Sequence, residues 1–375
     1  MPGRYHVNLK KFYKDVNHSI TFGTTGSGKT NWLIDLAVDF FNPQGLNNTV
    51  LWRDVAKANE FLALSQYGPL KIFMPDADVK MKIKGSLSSI ESVRFESYDD
   101  IFDHLDKDKF NVISFLQFCF IPKKFTQFWS YFFQELVIRA SNGQIEVPLV
   151  LAMDEMNQVC PSADKQVDVA QGQLSNMIAF NVERLRACNV RCAFASHGVT
   201  KIKKNVRTST PWQFYKYLGE KVSGDVPRLK FTESIIQQLK VDQVIAVAPD
   251  KIYSDPINGI ENYYLKEIGK FCNVKYEGTL PVDWEAHSKY AEMQKLQNEK
   301  QDGRQKKDLL KNIIAHLVQE NVFTQAKIAT IAKCSPARIS QIMSEIKDDM
   351  LIGEVVDVVK QELKEIDGAT TETHG

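Results

Sequence analysis

Six short β-rich runs between residues 18 and 250 have a largely apolar centre without strict alternation: SITFG (19–23), NTVLWRD (48–54), KFNVISFL (109–116), VPLVLAM (147–153), VRCAFAS (190–196) and QVIAVA (243–248). A strand with one wet face alternates, so runs without alternation indicate strands covered on both faces, as in a parallel sheet. Between them the period becomes helical. In Thr30–Phe41, the residues Trp32, Leu33, Leu36, Ala37 and Phe40 form one apolar stripe. Phe125–Ala140 reads as a second helix, ended by Ser141, Asn142 and Gly143. The alternation predicts an α/β domain, doubly wound, with a mainly parallel sheet flanked by helices.

The pattern changes near residue 286. The stretch EAHSKYAEMQKLQNEKQDGRQKK is almost uniformly polar and reads as an exposed helix or linker. Three helical patterns follow. The first carries Leu309, Leu310, Ile313, Ile314 and Leu317, and the second carries Ala326, Ile328, Ala329 and Ile331. The third, SPARISQIMSEI, opens with Ser335 at the N-cap and Pro336 in the first turn. The expected organisation is a large α/β domain over 1–285, a polar linker over 286–306, a small all-α domain over 307–360 and a disordered tail over 361–375.

Composition narrows the classes. The 375 residues are 43% hydrophobic and 25% charged, with a net charge of +1, so any affinity for nucleic acid must come from local basic patches. Six cysteines without a CxxC pair argue against a zinc ribbon and against a disulfide framework. The opening MPGRYHVNLKKFYKD has no apolar core of signal-peptide length. The most apolar stretch, FNVISFLQFCFIPKKF (110–125), is broken by Pro122, Lys123 and Lys124, short of the ~20 residues of a membrane span. A buried strand and its turn fit it better, and the chain is expected in the cytoplasm.

The chemistry concentrates where the first apolar run meets the first helix. Gly23-Thr24-Thr25-Gly26-Ser27-Gly28-Lys29-Thr30 satisfies GxxxxGK[ST] in a strand–turn–helix setting. Its glycines let backbone N–H groups turn inward around phosphate oxygens, and the helix N-terminus adds a favourable dipole. Lys29 would reach the β- and γ-phosphates of ATP, and the Thr30 hydroxyl would coordinate Mg²⁺. A second apolar strand, in PLVLAMDEMNQ (148–158), ends in Asp154-Glu155. One carboxylate there would hold the Mg²⁺ shell, and the next would activate a water for in-line attack. That pair favours a hydrolase over a small-molecule kinase.

The stretch ERLRACNVRCAFASHGVTKIKKNVRTSTPWQFYKYL (183–218) resembles the segment after the Walker B strand in the FtsK/HerA superfamily of DNA-pumping ATPases. The resemblance runs from residue 19 to about 250 and implies a RecA-like P-loop NTPase fold, a ring (hexamer) and double-stranded DNA as partner. It places Arg184 and Arg186 on a helix and Ser196-His197 at the end of a sensor strand. Either arginine would serve as a finger across a subunit boundary or lie on a solvated face. Lys201, Lys203, Lys204 and Arg207 would grip DNA phosphates or form an ordinary exposed loop. His197 stands where the superfamily usually has Gln, so γ-phosphate sensing would differ or respond to pH. No N-terminal barrel and no membrane anchor of the larger members is expected.

The C-terminal patterns resemble simple or winged helix-turn-helix domains, with Ser335, Ala337, Arg338 and Gln341 facing a major groove and Arg338 and Gln341 reading base edges. Residues 301–347 hold eight Lys/Arg against four Asp/Glu, in keeping with nucleic acid, although a protein-docking module has the same pattern. The expected function is thus a Mg-dependent ATPase that translocates, packages or remodels duplex DNA. An ATP-switched initiator or partition ATPase and a nucleotide-switched docking module are the alternatives.

Overall fold

The computed structural model describes residues 9–14, 17–41, 48–57, 60–84, 90–219, 221, 224–259, 273–288, 292, 335, 337 and 339–344. The chain divides into two compact units, Met1–Tyr290 and Ala291–Gly375. The first unit begins with α1 (Lys10–Lys14), β1 (Ser19–Phe22), α2 (Lys29–Phe41), β2 (Thr49–Arg53), β3 (Leu70–Pro75), β4 (Lys80–Lys84) and β5 (Ile90–Phe95). It continues through α3 (Tyr98–Asp103), β6 (Phe110–Ile113), α4 (Pro122–Ser141), β7 (Leu149–Met153), α5 (Met156–Val159) and α6 (Val169–Ala187). Then come β8 (Val190–Ser196), α7 (Lys204–Thr208), β9 (Trp212–Tyr215), α8 (Glu233–Ile236), β10 (Gln243–Val247), β11 (Ile252–Asn258) and β12 (Asn273–Glu277).

One ten-stranded sheet runs β11-β10-β9-β1-β8-β7-β2-β6-β3-β5, and β12 pairs with β4 in a separate ribbon. Every pairing from β9 through β5 is parallel, whereas β10 is antiparallel to both its neighbours. The expected α/β class with a mainly parallel sheet flanked by helices is therefore present. All six strands read from the sequence lie in it. For β10, however, the apolar run reports coverage on both faces rather than strand direction.

Register places the strand ends. Phe22 of β1 stands level with Ser196 of β8 and Tyr215 of β9. Met153 of β7 stands level with Arg53 of β2 and Phe194 of β8. The carboxyl ends of β9, β1, β8, β7 and β2 thus form one ledge, the edge at which open α/β sheets carry their ligands.

Helix α2 follows that ledge and has no acidic residue in its first turn, leaving its positive end available to an anion. Helix α4 begins earlier than the apolar stripe suggests. Pro122, read as an interruption, sits in its first turn, where a missing N–H costs nothing. The helix buries Phe125, Phe128, Trp129, Phe132 and Phe133, and Phe128 stacks on Phe115 with ring centroids 4.0 Å apart. Each such ring stabilises the packing by roughly 1.5–3 kcal/mol.

The described part of the first unit runs through Ser288. Trp284 donates its indole N–H to the Asp76 carbonyl at 3.0 Å, and His287 makes a parallel bridge with Ser97. In the second unit, residues 339–344 are helical, with Ile339 and Ile342 buried and Ser335, Ala337 and Gln341 exposed. Arg338, Pro336 and the two preceding helical patterns lie outside the described residues. Among the described residues, no helix is long and apolar enough to cross a membrane.

Candidate active site

The phosphate-loop sequence folds as a cradle between β1 and α2. Gly28 has φ +82°, and a Cβ there would lie 2.4 Å from the Val241 carbonyl, so both conformation and space require glycine. Gly26 has φ +78° and faces open space. The Thr24 N–H donates to the carbonyl of Tyr217, just past the end of β9, at 2.9 Å, and within the loop the Ser27 hydroxyl donates to the Thr24 carbonyl at 2.8 Å. Lys29 is buried and donates to the Thr24 carbonyl at 2.9 Å. Burial lowers its pKa against the opposing pull of Asp154 and Glu155.

Asp154 and Glu155 follow β7 directly. The Thr30 hydroxyl donates to Asp154 Oδ2 at 2.6 Å, joining the loop's last residue to the acidic pair. Burial raises the Asp154 pKa, but Lys57, the Thr30 hydroxyl and the Glu155 N–H outweigh it, and the carboxyl stays below its ordinary value. A hydroxyl and a carboxylate touching each other are hard oxygen donors of the kind Mg²⁺ takes beside phosphate oxygens and water, so these two residues fit that ion. Glu155 adopts a left-handed conformation, φ 50° and ψ 43°, at the start of α5. Such strain in a non-glycine residue costs about 1–3 kcal/mol and must be held by its surroundings.

Arg53, at the end of β2, supplies the hold. It is fully buried and donates Nη1 to the carbonyls of Asp154 at 2.7 Å and Glu155 at 3.3 Å, with Nη2 on Gln158 Oε1 at 2.8 Å. Its guanidinium lies 5.3 Å from the ring centroids of both Phe125 and Trp129. Burial pulls its pKa to about 10, so it remains cationic near neutrality. Lys57, four residues on, reaches Glu155 Oε1 at 2.6 Å and Asp154 Oδ2 at 3.4 Å.

His197 closes the arrangement from the end of β8. Its Nε2 is 2.7 Å from Glu155 Oε2, and its Nδ1 is 3.2 Å from Lys29 Nζ. An ammonium can only donate, so Nδ1 accepts and Nε2 carries the proton that goes to Glu155. That assigns the neutral ring with a fixed tautomer. Burial and then the Lys29 charge lower the His197 pKa, with Glu155 opposing, in keeping with a neutral ring. Asn157 Oδ1 lies 3.4 Å from the His197 N–H.

Of the residues expected from the sequence, the structure brings together the phosphate loop, Lys29, Thr30, Asp154, Glu155 and His197. Arg184 and Arg186 are elsewhere: both are exposed near the C-terminus of α6, beside the start of β8. Seven strand residues separate that end from His197, about 20 Å, so neither reaches this chain's own phosphate loop. Lys201 and Lys204 are exposed, while Lys203 bonds to Asn176 and Arg207 donates to the Val199 carbonyl at 3.2 Å. The sequence alone does not single out Arg53 or Lys57. The available signal was a cation at the end of an apolar strand, which acquires meaning only once β2 is known to lie beside β7.

No protein-family model matches the chain, and no curated protein matches it. Solved structures similar to it include the genome packaging NTPase B204 from Sulfolobus turreted icosahedral virus 2 in complex with AMPPCP, with 12% identity and a TM-score of 0.41 over 65% of this chain and 98% of that one. The cytoplasmic domain of the Thermomonospora curvata type VII secretion ATPase EccC matches at 12% identity and a TM-score of 0.37, over 65% of this chain and 25% of that one. The pCW3 conjugation coupling protein TcpA matches at 11% identity and a TM-score of 0.35, over 68% and 65%. At such values the chemistry must be read from this chain's own side chains.

Proposed function

We propose that the chain is a Mg-dependent ATP hydrolase that works on duplex DNA. The observation that carries the hydrolase is the Thr30–Asp154 contact, because it brings Glu155 alongside the phosphate cradle. Gly26, Gly28 and Lys29 would hold the triphosphate, and Thr30 with Asp154 would hold Mg²⁺, which supplies charge neutralisation at the phosphates. Glu155 would accept a proton from a water aligned with the γ-phosphorus. The water oxygen forms the new P–O bond as the bond to the β-phosphate oxygen breaks, giving ADP and phosphate. His197, neutral, with Nδ1 on Lys29 and Nε2 2.7 Å from Glu155 Oε2, would orient Glu155 and report the γ-phosphate through Lys29.

Two observations support the DNA partner, and a third is compatible with a ring. Lys201 and Lys204 are exposed on the segment that leaves the active-site ledge after His197. Gln341 is exposed on a helix within a stretch of basic excess. Arg184 and Arg186, exposed and out of reach of this chain's own loop, would act as fingers only in a neighbouring copy of a ring, and otherwise lie on a solvated face. Steady-state phosphate release with and without duplex DNA tests the reading. Severalfold stimulation by duplex is expected, and equal rates across a range of DNA concentrations would remove DNA from the account.

A further inference from the structure

Each oxygen of the Glu155 carboxylate has an ion-pair partner in reach, although Oε1 accepts no hydrogen bond of good geometry. Lys57 Nζ sits on Oε1 at 2.6 Å and His197 Nε2 on Oε2 at 2.7 Å. Each partner takes up one side of an oxygen and crowds the approach of a water, so removing one opens Glu155 to act as a base. Lys57 also lies 3.4 Å from Asp154 Oδ2, the same oxygen that accepts from Thr30.

We propose that Lys57 is a latch on Glu155: its ammonium and a divalent cation compete for Asp154, and arrival of the cation with the nucleotide expels Lys57 and frees Glu155. The proposal rests on the hydrolase reading and adds a control to that site. A doubly charged ion held by Thr30 and Asp154 would stand within a few ångströms of the ammonium, in a site with buried carboxylates where repulsion is weakly screened.

Lys57 is the partner built to move. Its side chain is 38% exposed against 23% for His197, and it hangs on a flexible stem just after Ala56, which has φ 59°. Glu60 gives it a second place to rest. The Glu60 Oε2 atom is buried without a hydrogen-bond partner, and its carboxylate already interacts electrostatically with Lys57. Swinging from Glu155 to Glu60 would keep the ammonium paired while satisfying that oxygen.

The test is a Mn²⁺ titration at saturating ATPγS, with free Mn²⁺ read by electron paramagnetic resonance. Lys57→Ala should bind Mn²⁺ about 10-fold more tightly than wild type, and Lys57→Arg should restore the wild-type value. ATPγS affinity in EDTA should be the same in all three proteins. Unchanged Mn²⁺ affinity in Lys57→Ala, with ATPγS bound, would overturn the latch alone. Loss of ATPγS affinity in EDTA in that variant would also overturn it, by making Lys57 a phosphate ligand. A wild-type protein that binds no ATPγS would overturn the hydrolase reading and the latch with it.

Discussion

At the residue scale, the site depends on a cation with no exposed surface. Arg53 holds two backbone carbonyls and the Gln158 side chain with one planar fork, and so fixes the strained Glu155 backbone. A lysine offers a point charge on a shorter reach and cannot span all three acceptors. Arg53→Lys should therefore lower kcat by roughly 10- to 100-fold while leaving the KM for ATP near its wild-type value, the signature of a positioning residue. Steady-state kinetics alongside a thermal melt check this, and a parallel rise in KM would assign Arg53 to nucleotide binding instead. The phosphate loop, Asp154 and Glu155 were legible because their spacing is local and each follows an apolar strand. Arg53 was not, because 101 residues separate it from the carbonyl it holds.

At the element scale, β1 is anchored at its start by His18. This buried ring lies 2.5 Å from the Val182 carbonyl of α6 through Nε2, and its Nδ1 accepts the Cys192 N–H of β8 at 2.9 Å. That pattern needs the neutral ring, and burial lowers the pKa to about 4. The unfolded chain binds the proton more readily, so stability from this group is complete above about pH 6.5 and drains away as pH falls towards 4. The difference amounts to about 3 kcal/mol. Urea unfolding of wild type and His18→Gln at pH 7 and pH 4.5 should show the wild type losing more stability on acidification, and equal losses would contradict the role. Strand legibility follows the same logic of burial. The fully buried β1, β7 and β8 stand out as apolar runs, whereas β5, with Glu91, Ser92 and Arg94 exposed, does not, and neither does β3, equally buried but carrying Lys71 and Pro75. The strand β11 carries Pro256, tolerated at a sheet edge and misleading in a sequence scan.

At the scale of the whole molecule, the division into Met1–Tyr290 and Ala291–Gly375 separates the chemistry from the proposed base-reading helix. A fragment ending at Gln301 keeps Lys29, Thr30, Asp154, Glu155, Arg53 and Lys57, and should retain basal hydrolysis. It should lose sequence preference, and the salt dependence of duplex binding should become shallower by about 0.9 for each phosphate contact removed. A salt titration of full chain and fragment on several duplexes reads both quantities. Identical slopes and preferences would leave protein docking as the better role for the C-terminal unit.

In the proposed hydrolase, Glu155 is the base and other residues hold the nucleotide. The most direct measurement is single-turnover phosphate release by wild type and Glu155→Gln, with ATP binding measured on the same preparations. An amide keeps the shape of the carboxylate but cannot take a proton from water. Binding should stay within a fewfold of wild type while the hydrolysis rate falls by about 10²–10⁴. Phosphate release near the wild-type rate, from a variant that binds ATP normally, would contradict the account.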